Sequence, residues 1–240
     1  MDLFKFYNSI KGDIDERAYN SDLLVQRFWQ RGKTENITKE LTVKEGDVFV
    51  DIGCGSGVQT RLLAYYTGCK LAVGIDISFN AVSHARKWGL CNTEFIIADA
   101  RYLPIKKGCV DKILCAEILE HIDGPNLLLD EIRRIVTDDG AIVITTPNDT
   151  WLWRVYEWLW DTFGRGRDYG KTHLQFFNET KVQDIFWWCM VCRTSTYFFL
   201  SPALATLGNN RLLEWGKRFD RFFEDRGWGT SLIVYARKGK

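Results

Sequence analysis

The chain has 240 residues, of which 46% are hydrophobic, 14% aromatic and 26% charged. That composition excludes a disordered, collagen-like or coiled-coil protein and is enough for one sizeable core. The net charge of +1 conceals a division: residues 1–150 carry 18 basic and 22 acidic side chains, residues 151–240 carry 14 and 9. A tail of that modest positive charge does not by itself call for nucleic acid, but its sign suits an anionic substrate or surface.

Seven cysteines, at 54, 69, 91, 109, 115, 189 and 192, form an odd set, and Met1–Lys5 lack the apolar stretch of a signal peptide. Both features point to free thiols in a reducing cytoplasm. No apolar run reaches the roughly 18 residues of a spanning helix. No repeat or Ser/Pro/Gly-rich linker divides the chain, so 1–240 reads as one domain. Its parts are a helical cap over 1–45, a core over 46–148, a Trp-rich insertion over 149–177 and a completing segment over 178–240.

In chain order, Asn20–Gln30 reads as an amphipathic helix carrying Leu23, Leu24 and Phe28, with Tyr19, Trp29 and Arg31 placed to close over a ligand. From Val48 to Asn148 short apolar runs alternate with amphipathic ones. Strands are expected at Val48–Ile52, Leu71–Ile75, Phe95–Ala98, Lys112–Cys115 and Ala141–Thr145, with helices at Val58–Tyr66, Asn80–Trp88 and Asn126–Val136. Strands with so little polar alternation are buried on both faces, which is the pattern of an α/β doubly wound parallel sheet. A helix near Glu179–Val191, a strand near Thr194–Leu200, a helix over Asn210–Asp225 and a last strand Ser231–Arg237 follow. The sheet is expected to end with one antiparallel strand.

Between the first strand and first helix stands Asp51-Ile-Gly53-Cys54-Gly55-Ser-Gly57. Alternate glycines allow a sharp bend and a close ligand approach at the carboxyl edge of the sheet. The spacing is G-x-G-x-G, with Val58 where a dinucleotide fingerprint has its third glycine. Asp51 at the same turn repels a pyrophosphate and attracts an ammonium group, so an amino-acid-like nucleoside ligand fits better. Asp76 closes the second strand, where a carboxylate accepts ribose hydroxyls. Asp99 ends the third, where one can receive an adenine amino group.

These motifs together resemble the class I S-adenosylmethionine-dependent methyltransferases, in their small-molecule, type 11-like branch. The resemblance runs over about residues 40–148, through Gly46–Gly57, Val73–Ser78, Ala98–Pro104, Cys115–Ile122 and Thr146–Asn148. It implies a Rossmann-like seven-stranded sheet of order 3-2-1-4-5-7-6 with strand 7 antiparallel. It also implies S-adenosylmethionine as cofactor, its methionine part in the glycine loop, its ribose on Asp76 with Ile77 against the adenine, and Asp99 with Ala100 at the adenine edge. Cys115 would offer its carbonyl to the methionine amino group.

Methyl transfer is an in-line displacement in which the protein mainly aligns the reactants and keeps them dry. A base is needed only where the acceptor must lose a proton. Glu117 and His121, four apart, would share a helical face, and His173 in Lys171–Asn178 resembles the His-x-x-x-Phe segment that relatives place over the acceptor. His84 is expected at the surface or in packing. The Cys189/Cys192 pair is assigned to packing inside an apolar helix, and no metal ligands are assigned.

Trp151–Phe163 is the least family-like segment. On a helical wheel Arg154, Glu157 and Asp161 gather between roughly 240° and 300°, and apolar residues fill most of the rest. It is either a lid on the acceptor pocket or a peripheral membrane contact, with Arg165, Arg167 and Lys171 following. The expected function is methyl transfer to a small-molecule or lipid-like acceptor. A non-catalytic module that binds cofactor, membrane or partner is the alternative, and a nicotinamide dehydrogenase a third. Nucleic-acid bases are disfavoured as acceptors, because the fourth strand lacks an N/D-P-P-Y run and no Pro-Cys nucleophile occurs.

Overall fold

A computed structural model describes residues 3–163, 173–222 and 227–238. Seven strands form one sheet: β1 (Val48–Ile52), β2 (Leu71–Asp76), β3 (Thr93–Ile97), β4 (Val110–Ala116), β5 (Val136–Pro147), β6 (Cys189–Tyr197) and β7 (Ser231–Lys238). Their order is β3-β2-β1-β4-β5-β7-β6, with β7 antiparallel to both neighbours, as expected.

Alternating strand residues supply two cores. Val50, Ile52, Val73, Ile75, Ile113, Ile142 and Ile144 pack on Leu128, Ile132 and Ile135 of α6 (Pro125–Ile135) and Val182 of α8 (Glu179–Ile185). Phe49, Ala72, Leu114 and Val143 pack on α3 (Leu24–Leu41) and α4 (Val58–Thr67) from the other side. Two buried faces explain why these strands read as continuous apolar runs.

The N-terminal part holds α1 (Leu3–Ser9), α2 (Ile14–Tyr19) and α3. The third helix runs eleven residues past its expected end at Gln30, because Trp29, Lys33, Ile37 and Leu41 continue one i, i+4 stripe through polar sequence. Gly32 does not stop it, since a Cβ there would lie 2.8 Å from the Phe198 ring; the missing side chain lets the helix approach that ring.

Two further expectations need correction. The helix after Glu179 stops at Ile185, and Cys189 lies in strand β6, not in a helix. The run Trp187–Val191 is apolar at every position, and pairing with β7 decides between helix and strand where periodicity cannot. Glu117 and His121 do not share a helical face either. Glu117 has φ +56° directly after β4, and only Leu119–His121 forms a short 3-10 turn. The remaining helices are α5 (Phe79–Lys87), α7 (Trp151–Phe163), α9 (Ser201–Thr206) and α10 (Asn210–Arg221). Gly164–Asp168 and Lys171, with the basic residues assigned there, lie outside the described residues.

Candidate active site

Ile52 is level with Ile75 on one side and Cys115 on the other, so β1, β2 and β4 end together and their following loops share one edge. The glycine loop is tied there by the Gly53 and Cys54 N–H groups, which donate to the Ile75 carbonyl at 2.7 and 3.0 Å. Gly53, Gly55 and Gly57 have φ of +75°, +52° and +74°, values that L side chains resist. Asp76 accepts from Gly55 N–H at 2.9 Å and Ser78 N–H at 2.8 Å, so one carboxylate holds the loop and opens the next helix.

Asp51 is buried beneath this loop, accepting from Thr60 Oγ1 at 2.6 Å. Burial pushes its pKa up to about 7, against the opposing hydrogen bond from Thr60. Asp76 is raised for the same reason, opposed by its backbone donors. Asp99 differs: it is bound by Arg101, whose guanidinium at 2.6 Å lowers its pKa.

A cavity of about 1820 Å³ opens from this edge. It exceeds the roughly 300–1,000 Å³ of an ordinary small-molecule pocket, leaving room for two reactants. Asp51, Gly53, Cys54, Gly55 and Asp76 line one part; Glu117, His121 and His173 line another. Gly57, Ile77, Asp99, Ala100 and Cys115 stand at the same strand edge but do not line it, and the wall beside β4 begins at Ala116.

At the β4 end, Glu117 is fixed by β5: its N–H donates to the Thr145 carbonyl at 2.9 Å and its carboxylate accepts from Thr145 Oγ1 at 2.8 Å. The His121 and His173 rings lie 5.0 Å apart. Leu174 N–H and Gln175 N–H donate to the Glu120 carbonyl at 2.8 and 3.3 Å, which brings the distant His173 segment to the 3-10 turn. Glu120 itself is 2% exposed, and its pKa is raised by burial and then by the Glu117 charge.

Helix α7 roofs this end. Trp153, Tyr156 and Glu157 line the cavity, with Trp153 6.0 Å from Trp29 of α3 and Glu157 Oε1 3.3 Å from His173 Nδ1. The charges therefore do not form one solvent stripe: Glu157 turns inward, while Arg154 pairs with Asp149 at the surface. The outward face carries Trp151 and Trp158, 74% and 60% exposed, with Val155 between them.

Several lining residues escaped the sequence reading. Asp15 of α2 accepts from Ser56 N–H at 3.0 Å, and Lys33 is buried in the wall, its charge acting on Asp51 and Glu120. The i+4 stripe from Trp29 was a usable signal for Lys33, and Glu120 stood inside the motif that holds Glu117 and His121. Nothing local marked Asp15. Of the residues expected to close over the site, Tyr19 and Trp29 line the cavity, whereas Arg31 is exposed with its guanidinium over the Tyr19 ring. His84 is half-buried and bonds Glu16 Oε2 at 2.8 Å, a packing role at the cavity wall.

Residues 43–227 match the family model described as a methyltransferase domain, and the chain belongs to that family, a class of S-adenosylmethionine-dependent enzymes. An uncharacterized protein of Methanocaldococcus jannaschii is 33% identical over 142 residues, covering 58% of this chain and 52% of that protein. The ubiquinone biosynthesis O-methyltransferase of Glaesserella parasuis is 27% identical over 117 residues, 44% of this chain and 47% of that enzyme. The chain thus matches about half the length of these curated relatives. Among solved structures, the methyltransferase bound to the Haloferax volcanii Trm112 activator aligns over 95% of this chain and 94% of its own, at 19% identity and a TM-score of 0.69, a likeness of fold.

The residues present fit the cofactor of this class. Beside the glycine loop, Ser56 Oγ and Gln59 Oε1 are buried without a hydrogen-bond partner, two polar atoms that a ligand in the cavity could satisfy. Asp51 and Asp76 place carboxylates on the cavity wall, the acceptor chemistry that an ammonium group or a ribose hydroxyl requires.

Proposed function

We propose that this chain, acting as a single domain with an N-terminal cap and an α7 lid, methylates a small-molecule or lipid-like acceptor by in-line displacement. The observation that carries the reading is one cavity with a glycine loop, Asp51 and Asp76 at one end and Glu117, His121 and His173 at the other. S-adenosylmethionine, when bound, supplies an electrophilic methyl group on a good leaving group. Gly53, Cys54, Gly55 and Gly57 would hold its methionine part with Asp51 at the ammonium and the Cys115 carbonyl nearby. Asp76 would take the ribose with Ile77 on the adenine face, and Asp99 with Ala100 the adenine edge once Arg101 yields.

The chain's own work is to orient and to exclude water. Trp153 and Trp29 close the roof, and the buried Trp153 indole N–H makes no hydrogen bond, leaving a donor for the acceptor. Glu117, with His121 and His173, handles the acceptor's reacting group and its proton. Relatives named as O-methyltransferases of ubiquinone biosynthesis and of malonyl-acyl-carrier protein support an apolar, carrier-linked or lipid-like acceptor.

Cofactor binding should depend on pH through Asp51. Its ligand-free pKa of about 7 falls when an ammonium group arrives, so binding releases a proton. Affinity should therefore climb between pH 5 and 7 and level off above. Calorimetry in two buffers of different ionisation heat should show about half a proton released at pH 7; no proton exchange from pH 6 to 8 would remove Asp51 from the ammonium site.

The exposed Trp151, Val155 and Trp158 support a second role for α7, contact with a cytoplasmic membrane surface that presents the acceptor. No described helix is long and apolar enough to cross a membrane. Wild type should sediment with phosphatidylglycerol/phosphatidylcholine vesicles, and the double variant Trp151→Ala/Trp158→Ala should lose at least tenfold in binding; equal binding would make α7 a lid alone.

A further inference from the structure

We propose that Glu120, His121 and His173 form a divalent-cation site at the acceptor end of the cavity, where the ion takes a hydroxyl oxygen of the acceptor. One carboxylate oxygen and one ring nitrogen from each histidine lie within 4.8 Å of one another. Ligand atoms around an ion with bonds of about 2.1 Å stand roughly 3 to 4 Å apart, so small torsions complete the set. Glu120 Oε1 is already 3.9 Å from His121 Nε2.

The carboxylate is the independent observation. Glu120 Oε2 accepts from Thr146 Oγ1 at 3.1 Å, but Oε1, fully buried and aimed into the cluster, has no hydrogen bond. A carboxylate oxygen held away from water without a donor is costly, and a cation removes that cost. The fold also presets the ligands: the Leu174 and Gln175 N–H bonds to the Glu120 carbonyl lock the His173 segment against the turn that carries the other two. Glu157 Oε1 stands 3.3 Å from His173 Nδ1, so a ring that held an ion through Nε2 would have a carboxylate beside its other nitrogen.

Two imidazoles and one carboxylate suit a first-row ion such as Mn²⁺, Fe²⁺ or Zn²⁺ better than Mg²⁺ or Ca²⁺, which favour all-oxygen sets. Three protein ligands leave open positions facing the cavity. An acceptor oxygen bound there loses its proton more readily, with Glu117 beside it to receive that proton. This narrows the acceptor to a hydroxyl compound and the reaction to O-methylation. The ion site stands on the side chains alone; its role in acceptor binding rests on the methyl-transfer reading above.

Mn²⁺ is the probe of choice, because the chain's cysteines would take up Zn²⁺ elsewhere. Electron paramagnetic resonance of the wild-type protein titrated with MnCl₂ should show one bound ion with a micromolar dissociation constant. His121→Ala, His173→Ala and Glu120→Gln should each weaken it at least tenfold, while S-adenosylhomocysteine affinity and the circular-dichroism melt stay near wild type. Absence of Mn²⁺ binding up to millimolar concentration, or undiminished binding by the His121→Ala/His173→Ala double variant, would overturn the site. Mn²⁺ bound by a wild type that binds no S-adenosylhomocysteine would keep the site and overturn its role in methylation.

Discussion

Replacing Asp76 with alanine should abolish the stabilisation that S-adenosylhomocysteine gives the folded protein. In wild type a bound ligand raises the melting temperature in proportion to the logarithm of its concentration over its dissociation constant. Asp76 carries two separate duties. Its carboxylate fixes the glycine loop through Gly55 N–H and the start of α5 through Ser78 N–H, and it faces the cavity where a ribose would lie. Charge-assisted hydrogen bonds are worth about 1.5–3 kcal/mol each, so losing the ribose contacts should weaken binding by about 100-fold or more. Asp76→Asn keeps the side chain's shape and one acceptor oxygen. It loses one of the two backbone bonds, so its ligand-free protein should melt below wild type and above Asp76→Ala; the ligand-induced shift, taken from each protein's own ligand-free melt, separates loss of ligand contact from loss of loop structure. A shift of equal size in all three proteins would remove Asp76 from the cofactor site.

Glu117→Gln should lower turnover by about 10²- to 10⁴-fold, the range of a positioned proton acceptor, and leave cofactor affinity nearly unchanged. Glu117 adopts a left-handed backbone conformation at the end of β4, a conformation that costs about 1 kcal/mol or more for a residue with a side chain, and β5 holds it there through both the main chain and the Thr145 hydroxyl. Glutamine keeps the hydrogen bond to Thr145 but cannot take a proton. Rapid-quench single-turnover kinetics with an accepted hydroxyl substrate would isolate the effect on chemistry; turnover within threefold of wild type would make Glu117 a structural residue of the loop.

The sheet was readable in sequence because its parallel strands hold apolar runs, the first three of which lead into Gly53, Asp76 and Asp99, and the glycine loop was readable because its spacing is local. Strand β6 was readable only at its far end, Thr194–Tyr197: Cys189–Arg193 has no period that tells helix from strand, and the decision there belongs to β7, some forty residues further on. The length of α3 was hidden by Gly32 and the polar residues after it, although the Trp29–Leu41 stripe crosses them. Within the site, Asp51, Asp76 and Glu117 announced themselves at strand ends. Glu120 acquires its importance only where His173, more than fifty residues away, is bonded to its carbonyl, and Asp15 only where α2 folds onto the glycine loop. Glu157 and Arg154 shared a stripe on the helical wheel, yet tertiary contacts turned one toward His173 and left the other in solvent.

We propose that the cavity beneath the glycine loop is built for S-adenosylmethionine and its product. Titration calorimetry of the wild-type protein with S-adenosylhomocysteine at pH 7.5 tests it most directly. The expected result is a single site of micromolar or tighter affinity. A folded protein that gives no binding heat and no shift in melting temperature at millimolar ligand would contradict it.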